Sequence, residues 1–143
     1  MHLVLVGAGK WDPLPGLAKD ILPWSEAREV RDIQTFDTGI MPLPDGPFER
    51  GKCGYKLIQY MACGLPVISS PVGANIHIVE QGKTGFLPSS NADWVEAFSM
   101  LFRNAEMANA MGKAGRKKVE QEYSLQMAAP RLLDILLKAA SDN

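Results

Sequence analysis

Cysteine and histidine are scarce, with two of each among 143 residues. Cys53 and Cys63 flank a predicted helix, and Cα atoms that far apart are not bridged without unwinding it. Only His2 and His77 could join them, so no metal-ligand spacing is visible. Free thiols fit a reducing cytoplasm. No apolar run approaches the roughly 20 residues of a membrane span. The opening MHLVLVGAG is too short for a signal peptide and lacks its basic flank. An excess of either charge is also missing: 15 Lys and Arg face 16 Asp and Glu, for a net charge of −1. With no basic block, a nucleic-acid surface is not the expected function. Internal repeats and low-complexity segments are absent.

Glycine and proline are plentiful, at 13 and 10, and fall mostly between periodic segments. The length suits one domain, 1–143, with a real core. Leu3 to Val6 is a continuous apolar run of the kind buried on both faces of a parallel sheet. Gly7 and Gly9 follow, but no third glycine does. Lys10 to Pro13 reads as a turn, which argues against an NAD-type dinucleotide site. A short helix is expected over 14–20 and a short strand at Ile21-Leu22. Trp24 either stacks on a flat ligand or sits at a core rim. Ser25 is a candidate cap for a helix over 26–36. Ile40 to Leu43 is a strand stopped by prolines, and Phe48 to Cys53 reads as a polar loop at its carboxyl end. Ile76 to Glu80 is a helical turn carrying His77, and Phe86-Leu87 a last strand. Helices are expected over 91–103 with Asn91 as cap, over 106–122, and over 126–140, the last interrupted by Pro130, which suits the early turn of a helix beginning there. The last has an apolar stripe wide enough to need a partner surface. Alternation of strand and helix, then helices alone, defines an α/β fold: a Rossmann-like parallel sheet flanked by helices.

Gly51 to Ser70 carries the most chemistry. A glycine-bearing turn opens a helix that closes on Gly64, and Val67 to Ser70 is a buried strand. Backbone N–H groups at Gly54, Tyr55 and Lys56 stand at the helix start, where the dipole adds positive charge. Gly51 and Gly54 allow close approach, and Lys52 and Lys56 add full charges. This describes an anion site suited to phosphate. Lys56, Gln59 and Cys63 share one face, while Leu57, Ile58, Met61 and Ala62 form the apolar stripe. The other reading is that the glycines only make turns and Lys56 is solvated.

The stretch from Gln59 to Ser70, QYMACGLPVISS, resembles the E-A-M-A-C-G-x-P-V-I-A-S motif of the C-terminal, donor-binding domain of GT-B-fold glycosyltransferases, group 1 or family 4. The order of LVLVGAG, Pro23-Trp24-Ser25-Glu26, Asp37 to Pro44, Pro71-Val72-Gly73 and Gly82 to Leu87 agrees over nearly the whole chain. The resemblance implies binding of a UDP-, GDP- or other nucleotide-diphosphate sugar, with no cofactor or metal. Gly51, Lys52, Cys53 and Gly54 would face sugar and phosphates, with Tyr55 at the helix start. Lys56 would take the diphosphate, Gln59 the ribose, and the loop at Trp24 the base. The family's usual motif has two glutamates eight positions apart; here Gly51 and Gln59 occupy those positions, and Glu49 lies two away. The resemblance implies a fragment that begins at the domain's second strand, with the acceptor domain or a second chain as partner and no catalytic residue of its own. It places the parent enzyme in polysaccharide or cell-envelope synthesis, in the cytoplasm or peripherally at the inner face of the membrane. The alternative is a non-catalytic binding or assembly module that keeps the fold.

Overall fold

The computed structural model describes residues 2–9 and 16–141. The chain packs as two compact units, Met1–Phe36 and Asp37–Asn143. The turn expected over Lys10 to Pro13 and the first two residues of the helix expected over 14–20 lie outside the described residues.

In the first unit β1 (Leu3–Val6) pairs in parallel with β2 (Lys19–Leu22), Leu3 opposite Lys19 and Val6 opposite Leu22. The last two residues of the expected helix, Lys19 and Asp20, are therefore strand. Gly16, at φ +86°, is left-handed and breaks a helix there, and the ladder to β1 claims the residues from Lys19 on. Helix α1 (Glu26–Ile33) starts after an extended Ser25, as expected, although the Ser25 side chain makes no cap hydrogen bond. It stops three residues short of Phe36, in a tightened turn where Thr35 N–H donates to Asp32 O and Phe36 N–H to Ile33 O.

The second unit is built on a three-stranded parallel sheet in the order β3 (Gly39–Met41), β4 (Val67–Ser69), β5 (Gly85–Phe86). β4 is central and wholly buried. Its side chains alternate across the sheet, as strand geometry requires. Val67 joins Leu57, Met61, Ile78, Val79 and Val119, and Ile68 joins Phe86, Ala97, Leu101 and Met111. The first cluster is covered by α3 (Tyr55–Ala62), whose stripe of Leu57 and Met61 is fully buried, and by α4 (Asn75–Ile78). Between β3 and α3 the expected loop contains one helical turn, α2 (Pro47–Arg50). Pro47 at its start fixes φ in advance. α3 ends in a Schellman turn: Leu65 N–H bonds Tyr60 O and Gly64 N–H bonds Met61 O, with Gly64 at φ +78°. The glycine and the proline after it stop the helix as the sequence demands.

Helix α5 (Asn91–Arg103) is capped by Ser90, one residue before the expected Asn91. The reason is reciprocal bonding: Asp93 N–H donates to Ser90 Oγ at 3.2 Å and Ser90 N–H to Asp93 Oδ2 at 2.9 Å, a capping box. Helix α6 (Ala105–Lys118) passes into a π-helical turn, Val119–Tyr123. Helix α7 (Leu125–Ser141) runs straight through Pro130 and buries none of its residues. Among the described residues no helix is long and apolar enough to cross a membrane.

Candidate functional site

The carboxyl ends of β3 and β4 open into two loops, and in parallel sheets that edge is where ligands bind. The loops are stitched together. Ser70 N–H reaches Met41 O at 3.2 Å, and Ser70 Oγ accepts from Leu43 N–H at 2.8 Å. Asn75, buried to 1% exposure, donates Nδ2–H to Ser70 O at 3.1 Å. Gly73, at φ +55°, lies directly on the backbone of Arg50; a Cβ there would stand 2.5 Å from Arg50 O. Arg50 in turn forks onto Asp45, with Nε–Oδ1 at 2.7 Å and Nη2–Oδ2 at 2.9 Å. That hydrogen bond holds the Asp45 carboxyl below its ordinary range and pushes the guanidinium higher.

α3 begins beside this junction. Its N-cap is Gly54, φ +69°, which brings no side chain to the first-turn amides, and the first turn has no acidic residue. The positive end of the dipole is thus left without a carboxylate from its own helix. The demand for glycine comes from inside the protein. A Cβ on Gly54 would strike Ile78 Cδ1 and stand 3.3 Å from Asn75 Oδ1. Gly51, at φ −83°, has an ordinary backbone and room for a side chain.

The other expected residues differ in exposure and position. Tyr55 is exposed, as are Cys53 and Lys56, and Gln59 is half-buried one turn further on. Lys52 leans back on α2, its Nζ 4.0 Å from Glu49 Oε1 and 5.1 Å from the centre of the Phe48 ring. Phe48 and Glu49 thereby orient a lysine that the sequence shows only as a charge. Cys63 is half-buried at the far end of α3, and neither cysteine is in a disulfide. Trp24 belongs to the first unit, where its indole N–H donates to Glu29 Oε1 at 3.0 Å and 55% of the residue is exposed. His77 is exposed on α4. A cavity of about 460 Å³ lies at the opposite end of α3 among Ala62, Arg116, Val119, Glu120, Ser124 and Gln126. Another, of about 340 Å³, lies beside α5, and neither is lined by residues 51–59.

A parallel α/β sheet flanked by helices, with one helix starting at its carboxyl edge, defines a Rossmann-like fold. Comparison with known proteins narrows the class. The pattern of the family described as Glycosyl transferases group 1 matches residues 47–118, just over half of the chain, and the chain belongs to that family. It is 27% identical over 131 residues to an alpha-maltose-1-phosphate synthase of Mycolicibacterium smegmatis, covering 86% of this chain and 32% of the relative. Among solved structures it resembles sucrose-phosphate synthase of Thermosynechococcus elongatus, with TM-score 0.71 and 20% identity over 87% of this chain and 31% of that one. It also resembles HepE of Anabaena, solved in complex with UDP, with TM-score 0.67 and 16% identity over 84% of this chain and 32% of that one. The fold is that of the GT-B glycosyltransferases. The chain spans between about a fifth and a third of the length of the curated relatives it matches.

Proposed function

We propose that this chain is the donor-binding domain of a glycosyltransferase and that the start of α3 holds the diphosphate of a nucleotide sugar. The observation that carries the reading is the Gly54-capped start of α3, with Lys56 in its first turn and Gln59 one turn on. It sits inside the stretch matched by the family. The first-turn amides and Lys56 take the diphosphate, the 51–54 segment faces sugar and phosphates, and Gln59 bonds a ribose hydroxyl. As the sugar leaves, charge develops on the diphosphate, and the helix start and Lys56 stabilise it where it forms. The groups that activate the acceptor come from outside these residues, so the chain alone binds donor without steady transfer. The whole enzyme transfers a hexose-type sugar in polysaccharide or cell-envelope synthesis, in the cytoplasm or at the inner face of the membrane.

A second reading, a non-catalytic binding or assembly module, is favoured by one observation. Neither Gly51 nor Gln59 carries the carboxylate that the resembled motif has there. Calorimetric titration of the folded chain with UDP, GDP and their sugars separates the two. Saturable binding of one nucleotide, weakened about tenfold or more in Lys56→Ala, supports the donor site; a charge-assisted hydrogen bond of about 1.5 kcal/mol gives that factor. No binding by a folded sample would favour the module.

A further inference from the structure

The 51–54 segment is short of bonds of its own. Gly51 N–H to Phe48 O and Lys52 N–H to Glu49 O complete the turn of α2, and Cys53 is exposed. What fixes the segment is at its two ends, and both ends meet the loop that follows β4. At one end Gly73 presses on the Arg50 backbone, where a Cβ would lie 2.5 Å from the carbonyl oxygen and 3.0 Å from C and Cα. At the other end, where the loop passes into α4, a Cβ on Gly54 would strike Ile78 Cδ1, and Asn75 Oδ1 and Ala74 Cβ stand 3.3 and 3.8 Å from its place. The loop can serve as a fixed reference because it is rigidly held. Val72 N–H bonds Ser70 O at 2.8 Å and Asn75 N–H bonds Val72 O at 3.2 Å. Asn75 Nδ2–H bonds Ser70 O, and Ser70 Oγ receives Leu43 N–H from across the edge.

We infer that Gly73 and Asn75 are the positioning residues of the proposed donor site: the loop after β4 clamps the 51–54 segment at Arg50 and Gly54 and sets where its backbone meets the ligand. The functional half of this inference rests on the donor-site reading; the clamp itself does not. Alanine at 73 is strained by the left-handed φ and meets an immovable carbonyl rather than a flexible side chain. Either the loop lifts or α2 yields, and the 51–54 segment moves with it.

The test is the amide spectrum of Gly73→Ala beside wild type, with UDP titrated into both. Ser70→Ala is the milder companion, since it removes only the acceptor for Leu43 N–H; it carries the test if Gly73→Ala does not fold. The expected result is displaced resonances at 51–54, unchanged resonances across α5 and α6, and UDP affinity lowered about fivefold or more. Unmoved 51–54 resonances in a folded variant would overturn the clamp. Displaced resonances with wild-type UDP affinity would overturn its role in binding. Wild-type protein that ignores UDP would sink the donor reading and leave the resonances to decide the clamp.

Discussion

Replacing Gly112 by alanine pits helix propensity against packing. Gly112 lies in the middle of α6, where alanine is intrinsically favoured by about 1 kcal/mol. The structure opposes it. A Cβ at 112 would collide with Gly64 O and stand 2.9 Å from Gly64 C. That carbonyl belongs to the Schellman turn that ends α3 and leads directly into β4, so it has nowhere to go. α6 must retreat by roughly 1.5 Å to restore ordinary contact, which puts the overpacking cost in the upper part of the usual range, at about 2–3 kcal/mol. The net is a loss of about 1–2 kcal/mol, a fall in Tm of about 5 °C for a unit of this size. Gly115, one turn on, is the control. Its Cβ would meet the Met61 side chain, at 3.1 Å from Cγ and 3.6 Å from Cε. Methionine adapts, so propensity and packing nearly cancel and Gly115→Ala stays within about 0.5 kcal/mol of wild type. Urea and thermal unfolding of the two variants decide the matter. Gly112→Ala as stable as wild type, or Gly115→Ala the weaker of the pair, would refute the reasoning.

Further predictions concern charge, capping and core. Hydrogen bonds from Lys83 and then Lys118 hold the Glu80 carboxyl below its ordinary pKa. A lowered folded pKa stabilises above the unfolded value near 4.3, and that stability is lost as pH falls through the folded value. The urea midpoints of wild type and Glu80→Gln therefore differ modestly at pH 7, and the gap narrows as pH falls below the unfolded value; a gap that does not narrow in acid contradicts this. Burial works against the Lys118 ammonium, but hydrogen bonds to Glu122 and Glu80 outweigh it and raise its pKa. Its contribution is present below the unfolded value near 10.4 and lost as pH rises through the folded one, so Lys118→Met costs stability at pH 7 but not in strong alkali. Ser90→Ala removes one arm of the capping box and costs about 1 kcal/mol, read as a lower Tm with the α5 fold retained. Leu57→Ala, at a position with no exposure, costs about 2–5 kcal/mol; an unfolding midpoint close to wild type would show that α3 is not held by its apolar stripe.

The parts of the fold legible in the sequence were those where local chemistry and tertiary packing agree. The stripe of Leu57 and Met61, the stop at Gly64-Leu65-Pro66 and the run Val67-Ile68 each have one sensible structure. Legibility failed where two local signals competed. Ser90 and Asn91 are both good caps, and only the carboxylate of Asp93 reaching back selects Ser90. Lys19 and Asp20 have no strand propensity, and a partner strand recruits them. At the candidate site the charges and glycines were visible, but their reasons were not. Gly54 is required by Ile78, 24 positions away. Gly73 is required by the Arg50 backbone. Lys52 is turned by Glu49 and Phe48. Each depends on a contact between segments, which no local pattern records.

The central claim is that the start of α3 binds the diphosphate of a nucleotide sugar. Amide resonances of the isotope-labelled chain, followed during a titration with UDP, test it most directly. The account predicts saturable shifts concentrated at Gly54, Tyr55, Lys56 and Leu57, with smaller ones at Gly51 to Cys53 and at Gln59. Shifts centred instead on the cavity beside Arg116 and Gln126, or none at all from a well-dispersed spectrum, would contradict it.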